Sequence, residues 1–224
     1  MTKNKTASAD TFRAIYGFFN APVVDIDCGQ MCKHLNGGSP VCCDTSNAIP
    51  IVQKSEWQAL KKRTDMWRPY KPDSSAAQEI VDGLHSSCKA IECRGAQFCE
   101  RDNRSLACRT FPFFPYITNK DELIGLSYYW TFEDRCWVIS NLARVTPAFV
   151  SEFIKAQELL FDADPGERDV YRQYSATMRR VFSRWKRPIP VINRDGGFSM
   201  IRPHGAGIRK IQADALPRFA PYAD

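Results

Sequence analysis

The segment DIDCGQMCKHLNGGSPVCC, residues 25–43, places Cys28, Cys32, Cys42 and Cys43 among glycines and a proline, with no hydrophobic periodicity. Such a stretch is too polar to build a core, and its glycines argue against a helix. Its thiols are therefore expected either to be bonded to one another or to hold something. A second group lies downstream at Cys88, Cys93, Cys99 and Cys108. The ninth cysteine, Cys136 in EDRCWVIS, stands apart and reads as a small hydrophobic core residue.

The choice between bonding and holding turns on compartment. The opening MTKNKTASADTFRAIYGFFNAP has no uninterrupted apolar run of the kind a secretory signal needs. No run of eighteen apolar residues follows, so no membrane span is expected. The expected location is the cytosol, where thiols are kept reduced and a disulfide framework explains a dense cysteine pattern poorly. An odd count also leaves one thiol outside any complete pairing.

Thiolates are soft anionic ligands that favour zinc, copper(I) or the iron of an iron–sulfur centre. Short spacings let two sulfurs converge on one ion, and glycines let the backbone bend around it. Gly29, Gly37 and Gly38 lie where the first group would need such bends, and Gly95 does so for the second. In an extended segment Cys42 and Cys43 would point to opposite faces, so one ligates while the other packs or serves a second site. His34 and His85 are near enough in sequence to add nitrogen ligands, but solvated surface histidines are the favoured reading of both.

The motif DCGQMC…VCC followed by FCERDNRSLACRTFPFFP resembles the YkgJ-type cysteine-cluster family, described as a zinc- or iron-chelating domain. Cys28, Cys32, Cys42 and Cys43 stand at that family's early cluster. Cys99, Arg104, Cys108, Arg109, Phe111 and Pro112 stand at its late one. The resemblance spans residues 25–116. KHLNGGSPV separates Cys32 from the cysteine pair, Ser105 follows Arg104 where the family has proline, and Cys88 and Cys93 are additional.

The resemblance implies a centre of zinc or iron, or a [4Fe-4S] cluster, held by Cys28, Cys32, Cys42, Cys43, Cys99 and Cys108, and the reading of the thiols themselves adds Cys88 and Cys93 as candidate metal ligands. Flagellin lysine methylases carry a related cysteine segment, so a metal-dependent protein-modifying enzyme is an alternative. Arg104 and Arg109 would offset the charge of clustered thiolates and fix their loops, or make ordinary ion pairs. TFPFFP would exclude water from the metal, or simply pack in a core.

The rest of the chain reads as α+β. Helices are expected over SADTFRAIYGFFN, Ser55–Arg63, SAAQEIVDGLHS, and after Thr146-Pro147 and Asp164-Pro165. TFPFFPYIT and LIGLSYYWTF read as paired strands, with Pro112 and Pro115 restricting the first to an edge or to a partly irregular path. PIPVINRDGGFSMIRP reads as a hairpin turning at Asp195-Gly196-Gly197. The expected organisation is a cysteine-cluster domain over 1–140 and a helical extension with a hairpin over 141–224.

Residues 168–210 hold eleven Lys or Arg against two acids, within a chain of net charge +6. On the helix after Asp164, Val170, Tyr174, Met178, Val181 and Trp185 are expected on an inner face. Arg168, Arg172, Arg179, Arg180, Arg184 and Arg187 belong to a basic outer face, open to nucleic acid, an acidic protein or an anionic membrane surface, or merely solvated. IRPHGAGIRK has glycines suited to a phosphate but lacks a P-loop context. The functional expectation is a metal-binding protein, with a zinc-stabilised binding module as a further alternative.

Overall fold

The computed structural model describes residues 6–203 and 207–223, which leaves the central HGA of IRPHGAGIRK outside the described residues. The chain divides into two units, one of Ala7–Gly17 with Gly29–Phe111 and one of Phe18–Cys28 with Pro112 onward. The boundary expected near residue 140 falls inside the second of these. The chain is a mixture of helix and antiparallel sheet, as the α+β reading expects.

The cysteine-rich unit is built from short elements. Helix α1 spans Ala9–Phe18, and α2, Cys28–Cys32, joins the end of one unit to the start of the other. Strand β1 (Ile51–Gln53) leads into α3 (Lys54–Leu60), and β2 (Trp67–Pro69) precedes α4 (Ser75–Asp82). Strand β3 (Cys88–Cys93) runs between the other two in an antiparallel sheet of order β1-β3-β2, and α5 (Leu106–Thr110) closes the unit. Helix α2 corrects the expectation that this glycine-bearing stretch has no helix. One turn needs few hydrogen bonds, and Gly29 is buried within it rather than bending a loop. The bends expected of Gly37, Gly38 and Gly95 are present, with φ of 59°, 91° and 104°.

Caps fix the helix starts. Ser8 and Thr11 bond reciprocally, each side chain accepting from the other's backbone N–H at 3.2–3.3 Å, which satisfies two orphan donors at the head of α1. Ser74 accepts from Ala77 N, and Ser105 from Cys108 N at 3.3 Å. Phe12, Ile15, Leu60, Met66 and Ile91 are buried in this unit's core. Removing each from water stabilises the fold by about 1.5–3 kcal/mol.

The same core contains a charge. Glu56 is 3% exposed, and its Oε1 accepts from Tyr16 OH at 2.5 Å and from Leu106 N at 2.7 Å. The guanidinium groups of Arg63 and Arg109 lie over the Tyr16 ring at 5.0 and 4.8 Å. One carboxylate therefore ties α1, α3 and α5 together.

The second unit carries a five-stranded antiparallel sheet of order β4-β5-β6-β7-β8. Its strands are β4 (Phe113–Ile117), β5 (Leu123–Tyr128), β6 (Ile189–Asn193), β7 (Phe198–Ile201) and β8 (Ile208–Ile211). Pro115 sits in β4, which is an edge strand, where a missing N–H can face outward. The β6–β7 hairpin turns through Gly196 at φ 86°. At Gly125 in β5 a Cβ would lie 2.1 Å from the Ile192 carbonyl oxygen, so close pairing with β6 requires glycine there.

Helix α6 (Pro147–Ala163) is capped by Thr146, whose Oγ1 accepts from Phe149 N at 3.2 Å. It buries Phe149, Val150, Phe153, Ile154, Leu160 and Phe161, the expected face. Phe19 packs against Phe149 and Phe153. Helix α7 (Pro165–Arg184), capped by Asp164 on Gly166 N, lies on the sheet. Its Met178 and Phe182 join Phe114, Tyr116, Ile189, Val191 and Ile201 in one core. The inner face is rotated from the expected one: Val170 and Trp185 are 55% and 47% exposed, whereas Ser175 and Phe182 are buried. The sheet meets the 171/174/175/178/182 stripe, whose i, i+3, i+4 spacing suits a helix lying on a sheet.

Candidate metal centre

Four sulfurs come from four different segments of the cysteine-rich unit. Cys43 ends a 3-10 turn, Val41–Cys43. Cys93 ends β3 opposite Trp67, and Gly95 then turns the chain toward Cys99. Cys108 lies in α5. These thiols are close enough to act on one another's charge. Burial raises the Cys93 thiol above its ordinary value, and Cys43 and Cys99 add to the effect. Burial pushes Cys108 up to about 12, with Cys93 and Cys43 acting in the same direction and Arg104 against it.

Arg104 is the cation among them. Its Nε donates to the sulfur of Cys99 at 3.0 Å. Cys99, Cys108 and Cys43 each favour its charged form against the cost of burial. Arg109 acts on the backbone instead. Its Nε donates to the Arg104 carbonyl at 3.1 Å and its Nη2 to the Asp102 carbonyl at 2.5 Å. Arg63 donates to the same Asp102 carbonyl, and Trp67 Nε1 to that of Asn103 at 2.8 Å. Glu100 accepts from Thr64 Oγ1 and Asn103 Nδ2. The loop from Cys99 to Arg104 is therefore held from three sides. Arg104 faces a thiol, while Arg109 holds the backbone that presents it.

Local geometry places the other cysteines in the fold. Cys88 and Cys93 lie at opposite ends of β3, roughly 17 Å apart at strand rise, and their odd spacing puts them on opposite faces. Cys42 precedes Cys43 in a 3-10 turn, where successive side chains diverge by about 120°. Cys28 and Cys32 stand one turn apart on α2, and buried Cys32 donates to Gly29 O at 3.6 Å. Cys136 is buried in the second unit, as the core reading expects. No disulfide joins any of the nine cysteines.

His34 and His85 are exposed. His85 Nδ1 lies 2.7 Å from Ser87 Oγ and accepts from Ser87 N, which closes a local turn. Phe113 and Phe114 from TFPFFP pack in the second unit's core, against Phe149 and against Tyr129 and Tyr174.

The expected basic face is uneven. Arg172 pairs with Asp169 at 2.9 Å, Arg179 donates to the Ile117 carbonyl at 2.8 Å, and Arg180 donates to Thr177 Oγ1. Arg184 is exposed. Sequence reasoning missed the Tyr16–Glu56 pair, because a glutamate in the first turn of a helix ordinarily reads as solvated. It also missed the exposure of Trp185, whose signal is the acid-free sequence around it.

Among the described residues, no set of three or more His, Cys, Asp or Glu side chains is placed to hold a metal ion. The four thiols share a neighbourhood without forming a coordination sphere. Thiol sulfur suits a soft ion nonetheless, and the Arg104 guanidinium would offset part of the −2 charge that a tetrathiolate zinc site carries. Among the described residues no helix is long and apolar enough to cross a membrane. The chain matches no family model, no curated protein and no solved structure.

Proposed function

We propose that the chain is a metal-binding protein that holds zinc or iron, the latter alone or in an iron–sulfur centre, through Cys43, Cys93, Cys99 and Cys108. The observation that carries this reading is the 3.0 Å hydrogen bond from Arg104 Nε to the Cys99 sulfur, beside Cys43 and Cys99 acting on Cys93 and Cys43 and Cys93 acting on Cys108. A metal there would cross-link a 3-10 turn, a strand end, a loop and a helix. The unit has need of such a link, because β1 and β2 have three residues each and α5 has five.

This chain's own residues prepare the place. Ser105 caps α5 and so fixes the position of Cys108, while Arg109, Arg63 and Trp67 hold the carbonyls of the loop that carries Cys99. A metal bound there as a thiolate complex would displace thiol protons, and burial raises the Cys93 and Cys108 thiols further. Metal analysis of anaerobically purified protein tests the reading: about one equivalent or more of zinc or iron supports it, and loss on Cys108→Ser locates it.

A further inference from the structure

Between Val170 and Arg194 the chain carries seven Lys or Arg and no Asp or Glu. Four of these cations are tied to a carboxylate or a backbone carbonyl, and Arg180 donates to Thr177 Oγ1 on its own helix. Arg172 pairs with Asp169, Arg187 with Glu133 and Arg194 with Glu158, at 2.8–2.9 Å, while Arg179 donates to the Ile117 carbonyl. Arg180, Arg184 and Lys186 are exposed and have no acidic partner among the described residues. They lie within seven residues at the C-terminal end of α7, and Trp185 stands among them.

Trp185 is 47% exposed, although it ends a helix whose inner side packs on a sheet. Its indole is backed by Phe182, with ring centroids 5.4 Å apart, and by the Arg187 guanidinium at 5.4 Å. Both supports are fixed. Phe182 is wholly buried in the sheet core, and Arg187 makes two hydrogen bonds to Glu133 at 2.8 and 2.9 Å. The result is a braced aromatic surface beside three exposed cations.

We propose that this end of α7 is a binding platform for single-stranded nucleic acid, in which Trp185 stacks a base and Arg180, Arg184 and Lys186 meet phosphates. A flat, braced ring with adjacent cations is the arrangement that holds unpaired bases without reading their sequence. A lipid surface fits less well, because the apolar side of α7 is buried on the sheet and offers no stripe for insertion. An acidic peptide would satisfy the cations but leave the indole without a flat partner.

The test uses the full chain as purified, a short fluorescent oligothymidylate, and the same sugar–phosphate chain without bases. The oligothymidylate binds, and the abasic chain binds more weakly. Trp185→Ala weakens the oligothymidylate about tenfold, with Trp185→Phe between the two, since one stacked base is worth about that factor. Arg180→Gln and Arg184→Gln, both on the exposed face, each lower the steepness of the salt dependence by about 0.7 on the double-logarithmic plot. Circular dichroism of each variant matches that of the parent. The proposal is overturned if no binding occurs, if the abasic chain binds equally well, or if Trp185→Ala and Trp185→Phe both leave affinity unchanged. It is also overturned if polyglutamate or anionic phosphatidylserine vesicles bind with the same affinity and the same dependence on Trp185.

Discussion

The Nε of Arg104 donates to the sulfur of Cys99 across 3.0 Å, and the carbonyl of the same arginine accepts from Arg109. One residue thus links the thiol cluster to the scaffold that positions it. Groups that orient metal ligands in this way affect affinity by about 10–100-fold when removed. Arg104→Met is expected to weaken metal retention by that factor, read by competition with a chelator, with the fold unchanged by circular dichroism. Arg104→Lys, which keeps the charge but loses the directed Nε–H, is expected to fall between. Equal retention in Arg104→Met would remove the guanidinium from the centre.

The cysteines should divide by position. Cys108→Ser is expected to lower metal content, because Cys108 lies within the influence of Cys93, Cys43 and Arg104. Cys136→Ser is expected to leave it unchanged, because Cys136 is buried in the other unit. Equal losses in the two variants would contradict the division.

Tyr16→Phe removes the hydroxyl that donates to Glu56 and leaves a buried carboxylate short of one donor. The expected cost is about 1–3 kcal/mol of unfolding free energy, measured by urea denaturation. A change within about 0.5 kcal/mol would show that the remaining partners of Glu56 suffice.

Much of the second unit was legible because its signals are local. Thr146-Pro147 and Asp164-Pro165 start α6 and α7 as caps and first-turn prolines should, and Pro115 marks an edge strand. The pairing of β5 with β6 was not legible, because it joins residues 125–126 to 192–193 across both helices. Nor was β3, since Cys88 and Cys93 drew attention as ligands while KAIE between them is a short strand whose partners lie elsewhere. At the candidate site the cysteines were visible by type. That Cys43, Cys93, Cys99 and Cys108 come near one another depends on how a 3-10 turn, the end of β3 and α5 are brought together, and sequence spacing does not carry that information.

Gly125→Ala is expected to destabilise the second unit by about 1–3 kcal/mol or more, since its Cβ would meet backbone that cannot move aside as a side chain does. Gly197→Ala, where the nearest atoms are side-chain tips at 3.4–3.5 Å, serves as the mild comparison. Thermal unfolding of both variants checks the contrast, and similar melting temperatures would contradict the close approach of β5 and β6.

Alkaline pH gives a further check. Burial raises the phenols of Tyr16, Tyr116, Tyr128, Tyr129 and Tyr174 above the ordinary value of 10.0. The carboxylates of Glu56 and Glu133 add to this at Tyr16 and Tyr128. A tyrosine whose folded value is raised contributes its full stability below pH 10, and that contribution is lost as pH rises toward the folded value. These tyrosines are therefore expected to ionise together with unfolding, so that tyrosinate absorbance and loss of circular dichroism coincide above pH 10. Free ionisation of all eight tyrosines near pH 10 with the fold intact would contradict their burial.

The most direct measurement is elemental analysis of protein purified anaerobically with its thiols reduced. The account predicts about one equivalent or more of zinc or iron per chain, lost on Cys108→Ser and retained on Cys136→Ser. Metal far below one equivalent in fully reduced, folded protein would contradict the assignment of Cys43, Cys93, Cys99 and Cys108 as a metal centre.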